Sequence, residues 1–383
     1  MNYRVLGRTG LRVSEISMGS EGFEGAGLDA VKEMVDTAIA GGINYFDCYN
    51  SNPVMRDNLG KALLGRRDQV IIQGHICSAF KDGQYYRTRE MDVVRGAFMD
   101  LLTRLQTDYI DVGMIHYVDT EEDYDAVMSG PIIAYAQELK AKGAIRHIGM
   151  SSHNPTVALR AAESGLIDVL MFSLNPAYDL LPANDDVYAL FEEKTYESDA
   201  LGGIDPERNH LYRTCETLGV AITVMKSFAA GALLSEAKSP FATALTTTQC
   251  LHYALNRPGV ATVLVGARDC TEIEAAVAYA EASPAEKDYS LALSQAPKHS
   301  FSGMCMYCGH CAPCTAGIDI ALVNKYLDLA QAQPELPETV REHYRVLPAK
   351  AADCVACGIC ETNCPFGVRI VERMLEARKV FGE

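Results

Sequence analysis

Basic residues are scarce in this chain: 34 lysines and arginines stand against 50 aspartates and glutamates, for a formal charge of -16. A face able to neutralise a phosphate backbone needs clustered cations, so nucleic acid is not expected as a partner. Long apolar stretches are also missing. Nowhere do about 18 apolar residues run together, and no membrane association is expected. The opening MNYRVLGRTGLRVSEIS lacks the unbroken apolar segment of a secretory leader, so the expected compartment is the cytoplasm. Missing too is a G-x-G-x-x-G turn after the first strand-like segment, where GSEGFEGAG (19–27) stands instead. That leaves a doubly wound open sheet as the second choice of fold.

Cysteine, by contrast, is abundant, with 13 residues in 383. In a reducing cytoplasm such a number points to metal or catalysis and away from disulfides. Cys354, Cys357, Cys360 and Cys364 lie in CVACGICETNCP, which has the C-x2-C-x2-C-x3-C-P spacing of ferredoxin-type runs. In such runs the fourth cysteine serves the other cluster, so a partner run is expected. It lies upstream, at Cys305, Cys308, Cys311 and Cys314 in CMYCGHCAPC. The spacing predicts two [4Fe-4S] clusters, one held by Cys305, Cys308, Cys311 and Cys364, the other by Cys354, Cys357, Cys360 and Cys314. The upstream run has a shorter last spacer and Thr315 in place of the proline. Zinc is the competing occupant, since four-cysteine zinc sites also use short spacers. Cys48, Cys77, Cys215, Cys250 and Cys270 are scattered in apolar segments and read as small core residues.

Ahead of these runs the chain has a rhythm. YRVLGRTGLRVS (3–14) alternates as a hairpin does. Then β-branched runs that read as buried parallel strands, at 15–19, 43–47, 70–76, 109–118, 145–151, 169–174, 221–226 and 261–267, alternate with segments of helical periodicity. The helices are expected at 29–40, 56–64, 90–105, 131–142, 155–164, 206–218, 241–256 and 271–282. Eight strand-helix units in this length are the pattern of a (β/α)8 TIM barrel. A long polar connection, 175–206, follows the sixth strand and is either a substrate-enclosing loop or plain surface. The rhythm stops after residue 282. The expected division is therefore a barrel over 1–296 and a small, mostly helical ferredoxin-like iron-sulfur domain over 297–383.

Reacting groups of such barrels come from the C-terminal ends of strands. Those ends offer Ser20, Asp47, His75, His116, Ser151, Ser152, His153, Asn175, Lys226 and the stretch Gly266 to Arg268. An aspartate and two histidines meeting at one mouth would make a proton-handling set. A lone strand-end histidine is more often a structural hydrogen-bonding group.

YRVLGRTGLRVSEISMG (3–19), GGINYFDC (41–48), LGKAL (59–63), LTRLQTDYIDVGMIHYVD (102–119), IRHIGMSSHNP (145–155) and GVAITVMKSFAAGAL (219–233), together with both cysteine runs, resemble the aldo/keto reductases of the bacterial subgroup with a C-terminal ferredoxin-like iron-sulfur domain. The resemblance covers essentially the whole chain. It implies an NADP(H)-dependent reductase with an aspartate, tyrosine, lysine and histidine tetrad, the tyrosine protonating the carbonyl oxygen as hydride arrives. Carried onto this sequence, the aspartate is Asp47 and the histidine His116. The tyrosine position holds Asn52 and the lysine position His75. Tyr49, two residues beyond Asp47, is a substitute acid on the pleat period alone. For the cofactor, the resemblance points to Ser151, Ser152, Lys226, Gly266 and Arg268, while Ala275 and Ala276 replace the usual glutamate and asparagine.

The expected function is an iron-sulfur oxidoreductase working on a small carbonyl or hydroxyl substrate, with a ferredoxin or flavodoxin-type electron partner. Two alternatives remain at this stage. One is an electron-transfer subunit whose altered barrel docks a redox partner; the other is non-redox chemistry such as dehydration, with structural clusters.

Overall fold

The structure, a computed structural model, describes residues 1–180, 205–239, 241, 243–289, 305, 311–331, 335–336, 338–364 and 367–382. The middle of the 175–206 connection, the expected boundary near 297, and Cys308 lie outside the described residues. By its internal contacts the chain divides into two units, Met1–Asn175 with Pro206–Phe228 and Thr246–Asp288, and Pro176–Asp205 with Ala229–Leu245 and Tyr289–Glu383.

The first unit opens with a two-stranded antiparallel hairpin, β1 (Tyr3–Val5) and β2 (Arg12–Ser14). β3 (Ile16–Met18), β4 (Tyr45–Cys48), β5 (Ile71–Ile76), β8 (Ile110–Ile115), β9 (Ile145–Ser152), β10 (Val169–Ser173), β11 (Ala221–Met225) and β12 (Val260–Val265) form a closed parallel barrel, with β12 pairing back onto β3. Every one coincides with an apolar run expected to be a strand, because strands buried on both faces read as unbroken β-branched segments. Inward side chains from several strands, among them Tyr45, Val112, Met114, Val169, Met171 and Leu264, fill the interior as a packed core. Leu6 and Val13 of the hairpin belong to that same core, each with 0% exposure.

Between β5 and the helix Met91–Leu105 stands an element that hydrophobic periodicity did not suggest, the hairpin β6 (Ser78–Lys81) and β7 (Gln84–Arg87). Its turn is Asp82-Gly83, both at positive φ (52° and 86°), the pair most suited to a tight hairpin. The helix expected at 56–64 instead starts at Pro53, with the Asn52 side chain as its cap and proline in the first turn. The helix expected at 241–256 starts at Thr247, behind a Thr246–Gln249 capping box. The helix Glu121–Ser129 was not anticipated, its run of acidic residues masking a short apolar face.

Gly60 shows how closely the outer helices approach. A methyl group there would overlap the Arg104 carbonyl oxygen of the neighbouring helix. In an open helix Gly→Ala gains about 1 kcal/mol. Here the sign should reverse: Gly60→Ala should lose about 2 kcal/mol, the usual order of overpacking. A lowered urea midpoint with unchanged slope would show it; a raised midpoint would refute the close approach.

The described part of the second unit is mostly helical. Ile320–Gln331, Glu338–Arg345 and Ile370–Phe381 pack around Val323, Leu327, Tyr344 and Met374, with Tyr344 stacked on Phe381 at 3.8 Å. No helix among the described residues is long and apolar enough to cross a membrane.

Candidate active site

Side chains alternate along a strand, so Tyr45 and Asp47 of β4 point the same way, as do Gln73 and His75 of β5. These four meet inside the barrel. Tyr45 donates its hydroxyl proton to Gln73 Oε1 (2.6 Å), and Gln73 Nε2 donates to Asp47 Oδ1 (2.6 Å). His75 Nε2 lies 3.1 Å from the same carboxylate oxygen, and His75 Nδ1 lies 2.7 Å from His116 Nδ1. Asp47, His75 and His116 are 1%, 2% and 8% exposed.

The proton positions follow from what each atom can do. An ionised carboxylate only accepts, so His75 donates through Nε2. A neutral His75 then accepts at Nδ1, and His116 must donate through its own Nδ1. Both nitrogens of His75 are thereby committed, one to Asp47 and one to His116. Sequence reasoning named Asp47, His75 and His116 but missed Gln73, although it lies two residues before His75 on the same face.

The other candidates are placed less centrally. Asn52 turns its amide oxygen onto Val54 N (2.9 Å) and Met55 N (3.4 Å). Tyr49 stands edge-on to His75 at 6.3 Å, and burial first, then the nearby Glu21, holds its phenol well above the ordinary range. Tyr85 of the β6–β7 hairpin stands edge-on to Tyr49 (5.3 Å) and to His116 (6.5 Å), a neighbour that only the Asp82-Gly83 signal could have revealed. A second aspartate–histidine pair follows β8 and β9. Asp119 accepts from Ser152 Oγ (3.0 Å) and His153 N (2.6 Å), and its other oxygen faces His153 Nδ1 at 2.9 Å. Ser151 Oγ accepts from Tyr117 N (2.7 Å).

Lys226 follows β11 in a left-handed conformation (φ 61°), its carbonyl accepting from Asn175 Nδ2 (2.9 Å). Arg268 is bound to Glu272, through Nε at 3.0 Å and Nη2 at 2.5 Å. Ser20 Oγ and Ser227 Oγ, after β3 and β11, are buried with no hydrogen-bond partner among the described residues. Of the scattered cysteines, burial pushes Cys48 and Cys77 up to about 11 and Cys215 and Cys250 up to about 12, as inert core thiols.

The family model of the aldo/keto reductase family matches residues 15–245, more than half of the chain. The chain belongs to the aldo/keto reductase family. It is 29% identical over 278 residues to the uncharacterized oxidoreductase YqkF of Bacillus subtilis, covering 70% of this chain and 87% of that one. The aldo-keto reductase YhdN of the same organism is 29% identical over 173 residues, 40% of this chain and 47% of the relative. Among solved structures, the holo form of aldo-keto reductase AKR11C1 from Bacillus halodurans superposes with a TM-score of 0.60 at 26% identity, covering 78% of this chain and 97% of that one. This aldo/keto reductase is therefore an oxidoreductase, and its (β/α)8 barrel is the family's fold.

In the second unit, Cys314, Cys354, Cys357 and Cys360 line one small recess of about 20 Å³, walled by Ile318, Ile320, Ile370 and Met374. Ala356 N donates to Cys354 Sγ (3.4 Å), and Thr315 Oγ1 lies 3.7 Å from Cys357 Sγ. A backbone hydrogen bond from Ile359, then Thr315, draws the Cys357 thiol below its ordinary value, whereas burial raises Cys360. Cys311 is buried in this unit's apolar core, with Cys305 and Cys364 packed against it. Among the described residues no three histidine, cysteine or acidic side chains are gathered to hold a metal ion.

Proposed function

We propose that this aldo/keto reductase is an iron-sulfur oxidoreductase for a small carbonyl or hydroxyl substrate, in which a buried Asp47–His75–His116 relay replaces the tyrosine-lysine pair of the family's tetrad. The 2.7 Å approach of His75 Nδ1 to His116 Nδ1, backed by Asp47, is the observation that carries it. Asn52 stands at the tyrosine position but is spent as a helix cap. His75 at the lysine position holds His116 in one tautomer, as a carboxylate-backed imidazole does in other proton-transfer sites. In the reductive direction His116 would give a proton to the carbonyl oxygen, with His75 and Asp47 lined up behind it.

NADP(H), when bound, would supply the hydride. Ser20 and Ser227, whose buried hydroxyls have no partner among the described residues, fit a ligand rich in acceptor oxygens, and Ser151, Ser152, Lys226, Gly266 and Arg268 are the further residues proposed to hold it. Arg268, ion-paired to Glu272 and exposed, would have to exchange that partner.

Two [4Fe-4S] clusters, when bound, would supply single electrons, exchanged with a ferredoxin or flavodoxin-type carrier. The grouping of Cys314 with Cys354, Cys357 and Cys360 around one recess supports the assignment made from spacing. Cys305, Cys308, Cys311 and Cys364 would hold the other cluster, in a domain beginning near residue 297.

Anaerobically isolated protein should carry about eight iron and eight acid-labile sulfide per chain, bleach with dithionite, and oxidise NADPH when given carbonyl substrates. Zinc in place of iron would remove the cluster reading. Cluster bleaching without turnover of any carbonyl would favour the electron-transfer subunit.

A further inference from the structure

Glu21 opens the short turn Glu21–Phe23 that follows β3. Its carboxyl group lies against two glycine backbones: a methyl placed on Gly19 would come 2.5 Å from Oε2, and one on Gly266 would come 2.9 Å from it. Glycine at these two strand ends makes the room that the carboxyl occupies. The strands involved are adjacent, in the order β11, β12, β3. Loops after the last two strands of such barrels frequently bind phosphate. This arc carries Lys226 and the buried Ser20 and Ser227 hydroxyls, which have no partner among the described residues. An acceptor-rich anion would satisfy the two hydroxyls, yet a protein carboxyl already sits among the glycines.

We propose that Glu21 is a carboxyl plug in a phosphate-binding arc at the ends of β11, β12 and β3, admitting the phosphates of a nicotinamide dinucleotide when neutral or displaced and repelling them when ionised. This rests on the reading that the mouth takes NADP(H). Glu21 is an exposed residue whose carboxyl end is the part that packs on protein, against Gly19 and Gly266. Crowding by protein around that end pushes the carboxyl up, to about 7, against the pull of the solvent that reaches the residue; Asp47 and Glu24 add to the rise, its backbone hydrogen bond and Lys226 oppose it, and Tyr49 is the other titratable group near it. The plug therefore changes charge across the neutral range.

The test is titration of the full-length, anaerobically isolated protein with NADPH and with NADH at about pH 6 and pH 8, for the wild type, Glu21→Gln and Glu21→Ala. NADH lacks the 2′-phosphate, so a shift common to both nucleotides comes from the protein. A carboxyl near 7 passes from about nine-tenths to about one-tenth neutral between these pH values, so wild-type affinity should fall about tenfold. Glu21→Gln should bind at pH 8 about as tightly as the wild type at pH 6, and Glu21→Ala should likewise lose the dependence. Affinity that is flat with pH in the wild type, or equally pH-dependent in both variants, overturns the plug and leaves NADP(H) as the carrier. No binding by any of the three proteins overturns both.

Discussion

His116→Ala should lower the turnover number for carbonyl reduction by a factor of 10² to 10⁴, the usual worth of a positioned general acid. The cluster absorbance and the far-ultraviolet circular dichroism should stay as in the wild type. His75→Ala should lose a similar factor although His75 offers no nitrogen to the substrate, because both of its ring nitrogens are engaged, one with Asp47 and one with His116. Removing it leaves the His116 tautomer unset. His75→Gln, closer in size, can still hydrogen bond but cannot carry a proton between the two partners, and should rescue stability without rescuing rate. Full activity in either alanine variant would sink the relay.

The second large effect concerns the cysteines. If Cys314 completes the site of Cys354, Cys357 and Cys360, Cys314→Ala should cut iron to about half of its wild-type content, whereas Cys364→Ala should deplete the other half. Because metal binding and folding are coupled in small metal-rich domains, replacing Cys354, Cys357 and Cys360 together should also make the second unit sensitive to proteolysis, since the recess is walled by its own core residues Ile370 and Met374. Iron analysis and limited proteolysis read the two effects separately. Unchanged iron in Cys314→Ala would refute the exchange of fourth ligands.

The barrel was legible because each strand is buried on both faces, so apolar, β-branched runs such as VIIQGHI announce themselves without neighbours. Asp47, His75 and His116 were legible because they end such runs. What the sequence did not display was which atoms they turn toward one another, since that depends on register between strands distant in the chain: His75 opposite Met114, with His116 just beyond. Gln73 was hidden in an apolar run, and Tyr85 in a hairpin whose alternation is short. Asn52 was seen as a missing tyrosine. Its place before Pro53 also marks a helix start, and that local signal decides where its side chain goes.

The small hairpin of residues 3–14 has a bearing on how the barrel holds together. Leu6 and Val13 are packed into the barrel core with no exposure of their own. Cutting the hairpin away would therefore uncover apolar side chains of the interior, so the opening residues of the chain are part of what keeps the barrel folded.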